Sequence, residues 1–266
     1  MHSTAETLAI EGPDALAFAQ SQFSNNVATL ADGRWQFGAW LDAQGRVRSL
    51  FHLARLDGQR LLLLLRGGKA STLVEELRRY VFRSRVTLSA HATHSISHGE
   101  ALPMFVVQCV DGTIALGCGG HSMRIIDDAG SDDGWRLPQV REGWPWLPVD
   151  ASTAWLPPAL SLYRLHAAAL DKGCYPGQEI VARLHYRGGH KRHLHRVALS
   201  RVMPDGTTLH VDGNEAAQLL QTAHDNEAGI EALAVLGDDF AARVAHASGI
   251  DTDEGAQLRI LAGWPD

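Results

Sequence analysis

KGCYPGQEIVARLHYRGGHKR, residues 172–192, holds a turn, a thiol, a full set of helix boundary signals and a block of positive charge. Pro176, Gly177, Gln178 and Glu179 open a segment in which Ile180, Val181 and Leu184 share one face. Arg187 falls in its last turn and Gly188 just past it, so start and stop signals agree on a helix. Glu179 and Arg183, four apart in the favourable order, are expected to pair on its exposed side, a contribution of about 0.2–0.5 kcal/mol. Cys174 is then placed just before the helix N-terminus. Unpaired backbone N–H groups there, with Lys172 nearby, favour the thiolate, which is the nucleophilic and metal-ligating form. The alternative for a lone cysteine is a small buried hydrophobe. Cys109 and Cys118, in MFVVQCV and IALGCGG without basic neighbours, are read that way.

Positive charge continues through the helix. Arg183, Arg187, Lys191, Arg192 and Arg196 contribute +5 with no acid between them, leaving −11 on the rest of a chain whose net charge is −6. Such a reversal suits an anion, a carboxylate tail or a phosphate; a solvated helix end explains it as well. The acidic remainder argues against broad RNA contact, and no stable nucleic-acid complex is expected. Among His185, His190, His193 and His195, only His193 and His195 can share a strand face. No HExxH or Cys/His pattern completes a set of ligands, so no native metal is expected.

Working outward, 266 residues with 45% hydrophobic and 20% charged side chains suit one large domain or two smaller ones. The longest apolar run, Leu61 to Leu65, is far below the roughly 20 residues that cross a bilayer. MHSTAETLAIEG lacks the features of a signal peptide, so a cytoplasmic location without membrane attachment is expected. Three cysteines without a CxxC form neither a disulfide framework nor a zinc site. Iron–sulfur clusters are usually held by four thiolates, so any link to clusters is indirect. Neither dinucleotide, P-loop nor G-x-S-x-G signatures occur.

Gly12-Pro13-Asp14 starts a helix with Ala15, Phe18, Ala19 and Phe23 roughly on one face. Strands are expected at 34–41 and 47–56 around the turn DAQGR, and at 60–65 after Asp57-Gly58. The spacing of Leu73, Val74, Leu77, Tyr80 and Val81 predicts a helix over 69–82, ahead of a short strand near 86–88. A strand, turn and strand follow across 104–116 with Asp111-Gly112 at the bend. Helical turns are expected near 135–141 and 158–165, separated by an irregular REGWPWLPVDAST. After about Arg192, short β-like runs at 195–199, 207–211, 232–235 and 257–261 point to a small β-barrel or sandwich. The class is α+β, with domains at 1–192 and 193–266. Two βαβ-like, ferredoxin-like halves in the first are an open alternative.

The segment KGCYPGQE resembles the motif K-G-C-[FY]-x-G-Q-E of the YgfZ-like folate-binding family, relatives of the glycine-cleavage T protein. The matching residues are Lys172, Gly173, Cys174, Tyr175, Gly177, Gln178 and Glu179. IEGPDALAFAQSQFSNNV resembles the family's helix followed by Q-x-Q-x-[ST]-N-[DN]-V, LDAQGRVRSLFHL its next turn, and GWRLPQVREGWPWLP a further segment. The likeness spans roughly 8–192. It implies a T-protein-like folate-binding domain of antiparallel sheets and helices followed by a small C-terminal β-barrel, with tetrahydrofolate or a derivative as ligand. It also implies an accessory role for iron–sulfur enzymes or assembly proteins, a tRNA methylthiolation enzyme among them, with Cys174 as the residue tied to that role. Trp135, seven residues before Glu142-Gly143, resembles a family aromatic that contacts folate, and core filling is its alternative. Arg183, Lys191 and Arg192 are candidates for the folate's anionic groups.

Aminomethyl transfer fits less well. The paired aspartates of aminomethyltransferases fall on Arg48 and Ser49, so the anion that would stabilise a developing cation is missing, a term worth about 10²-fold or more. The T protein's pterin-facing glutamate falls on Arg141, with Glu142 one residue later. A folate-dependent aminomethyltransferase and an RNA-binding module built on 183–196 are the alternatives to an accessory protein.

Overall fold

A computed structural model describes residues 4–127, 133–148, 155–225, 229–247 and 249–264, so part of the connection expected through 149–153 lies outside the described residues. By contact the chain divides into two units, Met1–Trp135 with His166–Gln178, and Arg136–Leu165 with Glu179–Asp266.

The first unit is built on one antiparallel sheet. In chain order it holds β1 (Thr4–Glu11), α1 (Ala15–Gln22), β2 (Arg34–Leu41), β3 (Val47–Asp57), β4 (Arg60–Leu65), α2 (Ala70–Arg78), β5 (Thr87–Gly99), β6 (Val107–Val110), β7 (Thr113–Gly117) and β8 (Ser122–Ile126). The strands lie in the order β2-β3-β4-β1-β5-β8-β7-β6. Alternate residues of a strand face opposite sides, and β4 is buried on both: Leu61, Leu63 and Leu65 join Phe23 of the α1 region and Leu73 and Leu77 of α2 in one apolar cluster, while Leu64 faces the other way and is equally buried. That other face carries an unusual group. Arg66, fully buried, has Nη1 3.0 Å from Nε2 of buried His52, and its guanidinium lies 5.4 Å from the Phe37 ring centre. Burial brings the Arg66 pKa down to about 9. Burial first, and then the Arg66 charge, hold His52 well below the ordinary histidine range.

The β2–β4 meander, the turn at Asp111-Gly112 and α1 lie where the residue patterns place them. The expected short strand near 86–88 is instead the thirteen-residue β5, and the helix expected to reach residue 82 stops at Arg78. Tyr80 leaves the apolar face and is 43% exposed. Only Val81 of the last expected turn remains packed against the core.

The second unit contains α3 (Arg136–Arg141), a 3-10 turn over Pro157–Leu160, most of α4 (Gln178–Arg187), and β9 (Arg192–Leu199), β10 (Thr208–Val211), β11 (Asn214–Asp225), β12 (Gly229–Gly237), α5 (Asp238–His246), β13 (Ile250–Asp251) and β14 (Gln257–Trp264). Its antiparallel strands run β10-β11-β12-β9-β14-β13. The outer strands approach each other, because Asp253 N donates to His210 O at 2.9 Å. The result is a nearly closed, barrel-like six-stranded sheet around Val197, Leu209, Leu219, Ala234 and Leu258. No helix among the described residues is long and apolar enough to cross a membrane.

Candidate functional site

Residues 166–178 return to the first unit and lie against the exit of α1. Ser24 begins the attachment: its hydroxyl, 2.6 Å from Ala167 O and 3.0 Å from Ala39 O, has one proton to donate between them, and Ala169 N donates to Ser24 O (2.8 Å). Lys172 completes it. The Nζ donates to three backbone carbonyls, Gln20 O (2.6 Å), Phe23 O (2.6 Å) and Asn25 O (2.8 Å), and stands 5.2 Å from the Tyr175 ring centre. Carbonyls past a helix end need donors, and a buried carbonyl without one costs about 1–3 kcal/mol. An ammonium with three N–H groups meets that need. Burial lowers its pKa to about 8.

The rest of the loop is tied as closely. Tyr175 is buried, its phenol pushed up to about 12 by burial, and its OH donates to Ala169 O at 2.8 Å. Gln178 Nε2 donates to Lys172 O at 3.3 Å. Gly177 has φ +79°, and a Cβ there would stand 2.5 Å from Asp42 O and 2.8 Å from Gly45 Cα. Only glycine permits that approach and that backbone region together. The partner is the DAQGR turn, locked by Asp42 Oδ1 accepting from Gln44 N (3.0 Å) and Arg46 N (2.9 Å). Three sequence segments that share a family resemblance, 20–27, 41–46 and 172–178, are therefore assembled in space.

Cys174 stands outside this network, exposed, and the space around a Cβ at Gly173 is empty. The thiol is thus open to solvent between restrained neighbours. Two expectations change. Lys172 is committed to carbonyls 147 to 152 residues away in sequence and serves as a clamp. The helix starts at Gln178, four residues after Cys174.

Other predicted positions are placed as follows. Asn25, from the segment resembling Q-x-Q-x-[ST]-N-[DN]-V, is fully buried with neither side-chain amide atom hydrogen-bonded, its side chain lying beside Gly38. Ser49 is buried with its Oγ likewise unpartnered, whereas Arg48 is exposed. Neither brings an anion into the interior. Trp135 is 1% exposed, so neither ring face is open. Arg141, in the second unit, holds Glu231 Oε1 and Asp225 Oδ2, both at 2.7 Å. Glu142 is exposed.

Arg183 and Lys191 are exposed, and Arg192 pairs with Glu215 at 2.7 Å. The expected Glu179–Arg183 pair is absent among the described residues. Both side chains are exposed, and an attraction of a few tenths of a kcal/mol does not overcome hydration and rotamer freedom. His193 lies 3.4 Å from Asp238, and His195 Nδ1 is 2.9 Å from His193 O. No group of three or more metal-ligating side chains occurs among the described residues. The roles of Ser24 and Asn25 were not read from the sequence. SNN after a short helix was a signal for them, but their partners are not local.

The fold is that of the glycine-cleavage T protein. Residues 2–97 match the model of the GCVT N-terminal domain. The aminomethyltransferase T structure from Bartonella henselae superposes with a TM-score of 0.70 at 14% identity, covering 99% of this chain and 86% of that one. An uncharacterized protein of Haemophilus influenzae is 25% identical over 193 residues, 70% of this chain and 68% of its own. The tRNA-modifying protein YgfZ of Sodalis glossinidius is 24% identical over 274 residues (87% and 82%), and that of Cronobacter sakazakii 26% over 241 (77% and 73%). By these likenesses the chain resembles the YgfZ proteins and, in its fold, the glycine-cleavage T protein.

Proposed function

We propose that this protein is a cytoplasmic, folate-binding accessory factor that assembles or maintains iron–sulfur enzymes, those that modify tRNA among them, and that Cys174 is its working thiol. The observation that carries this reading is the loop at 172–178: Lys172, Tyr175 and Gln178 are engaged by backbone carbonyls, and the Cys174 thiol between them is exposed. The chain's likeness to the tRNA-modifying YgfZ proteins supports the connection to tRNA modification.

Folate is tested against the first unit's own residues. A pterin edge needs a hydrogen-bond donor beside an acceptor, and the buried Asn25 amide carries both without a protein partner. Asn25 is the group we assign to that edge. Trp135, 1% exposed, has no open face for a ligand to stack on. Folate, when bound, supplies a carrier for a one-carbon unit; the chain's part is to hold it and to present Cys174. Aminomethyl transfer is the weaker reading, because the inward residue of the Arg48–Ser49 pair is a neutral hydroxyl.

Calorimetric titration of the full chain with tetrahydrofolate tests the folate part. Saturable binding is expected, weakened about tenfold in Asn25→Ala, the loss of a good buried hydrogen-bond pair. Absence of heat with wild-type protein overturns folate binding. Unchanged affinity in Asn25→Ala overturns the assignment of that residue.

A further inference from the structure

The residues following α2, RRYVFRSR at 78–85, interleave four arginines with Tyr80 and Phe82 and contain no acid. Two pins shape them. Val81 packs into the core of the first unit, and Arg85 is gripped by Asp14, its backbone N at 2.8 Å from Oδ2 and its Nη2 at 3.1 Å from Oδ1. Turns closed by Tyr80 N to Leu77 O and Ser84 N to Val81 O hold the shape between them. With Val81 turned inward, its neighbours turn out: Phe82 is 88% exposed, and the Arg83 guanidinium stands 5.8 Å from its ring centre. The nearby acids leave charge uncancelled. Glu76 pairs with Arg79 and Asp14 with Arg85, while Glu75 is exposed. Arg78 and Arg83 have no ion-pair partner among the described residues.

Covering a bare aromatic ring is favourable. A partner with negative charge and a flat face would suit both the ring and the uncancelled cations. We propose that residues 78–85 form a contact surface for single-stranded RNA, with Phe82 stacking on a base, and Arg78 and Arg83 on flanking phosphates. Guanidinium groups match phosphate oxygens in fork geometry, and stacking on an aromatic requires bases free of a duplex. An anionic lipid surface fits less well, since Val81 is turned inward and Tyr80 is only partly exposed, which leaves Phe82 as the one fully exposed apolar side chain of the stretch. The proposal rests on none of the Cys174 loop, the folate reading or the basic stretch at 183–196, and it survives the failure of any of these.

Fluorescence anisotropy of a labelled oligouridylate of about 12 nucleotides, titrated with the full chain across a salt series, tests it. Wild-type protein binds. R78Q combined with R83Q binds weaker, and its log–log salt slope is shallower by about 1.4, or 0.7 for each phosphate contact on a single strand. F82A binds about tenfold weaker with the slope unchanged, and F82W restores binding. R183Q combined with K191Q leaves binding unchanged. The proposal is overturned by any of these results: no binding, patch variants that bind like wild type, a duplex or polyglutamate bound as tightly as the single strand, or loss of binding in the 183/191 variant. Retention on phosphatidylserine vesicles without RNA binding also overturns it and assigns the surface to lipid.

Discussion

Two stretches separated by only a few residues are handled in opposite ways. In 172–178, a lysine, a tyrosine, a glycine and a glutamine are fixed by backbone groups of the same unit. In 183–192, the more highly charged stretch, Arg183 and Lys191 stand in solvent and Arg192 makes a surface pair with Glu215. Density of charge marks a solvated face there, whereas in 172–178 dense restraint surrounds one exposed thiol, the feature on which the proposed function rests. Surface ion pairs contribute about 0–1 kcal/mol, whereas each buried carbonyl deprived of its donor costs about 1–3 kcal/mol.

The comparison can be broken first at Lys172. Lys172→Met keeps the stem and removes the ammonium from three carbonyls, and should destabilise the protein by about 3 kcal/mol in urea denaturation. A change within error would show that water replaces the clamp. Gly177→Ala comes next, with an expected loss of about 2 kcal/mol, since a Cβ at φ +79° meets the Asp42 carbonyl. Wild-type stability in that variant would mean that the loop does not rest on the DAQGR turn.

Acid sharpens the contrast within the first unit. The His52 folded-state pKa lies well below the unfolded value of 6.5, so the unfolded chain binds the proton first as pH falls. His52's contribution is complete above pH 6.5 and declines below it, by about 1.4 kcal/mol per pH unit until the folded state titrates. Thermal melts from pH 7.5 to 5 should show that decline, and His52→Gln should flatten it. An unaltered pH profile in the variant would remove His52 as the cause. The smallest effect belongs to the charged stretch: Arg183→Gln with Lys191→Gln should change stability by less than about 0.5 kcal/mol. A larger loss would show that these cations hold structure.

What could be read from the chain was what is local. Gly12-Pro13-Asp14 announces α1, DAQGR the β2–β3 turn, and Pro176 to Gly188 the reach of α4. β5 was read as a short strand because THSIS and HATHS offer small polar and histidine side chains where an apolar alternation would stand; backbone pairing with β1 and β8 decides it instead. Strand β11, NEAAQLLQTAHD, went unread for the same reason, and α5 is short enough to pass for a turn between strands. At the site, the motif and its thiol were legible. The destination of Lys172 was not, because its acceptors belong to residues 20–25 and only the fold brings them near. The exposed RRYVFRSR was absorbed into a helix whose periodicity outran its real end at Arg78.

The central claim is that the restrained loop exists to present one sulfur. It is tested most directly in a bacterium deleted for its own YgfZ, by measuring tRNA methylthiolation after expression of wild-type protein or Cys174→Ser, with matched protein levels. Restoration by wild type and failure of the serine variant is the expected result. Full restoration by Cys174→Ser would contradict the account.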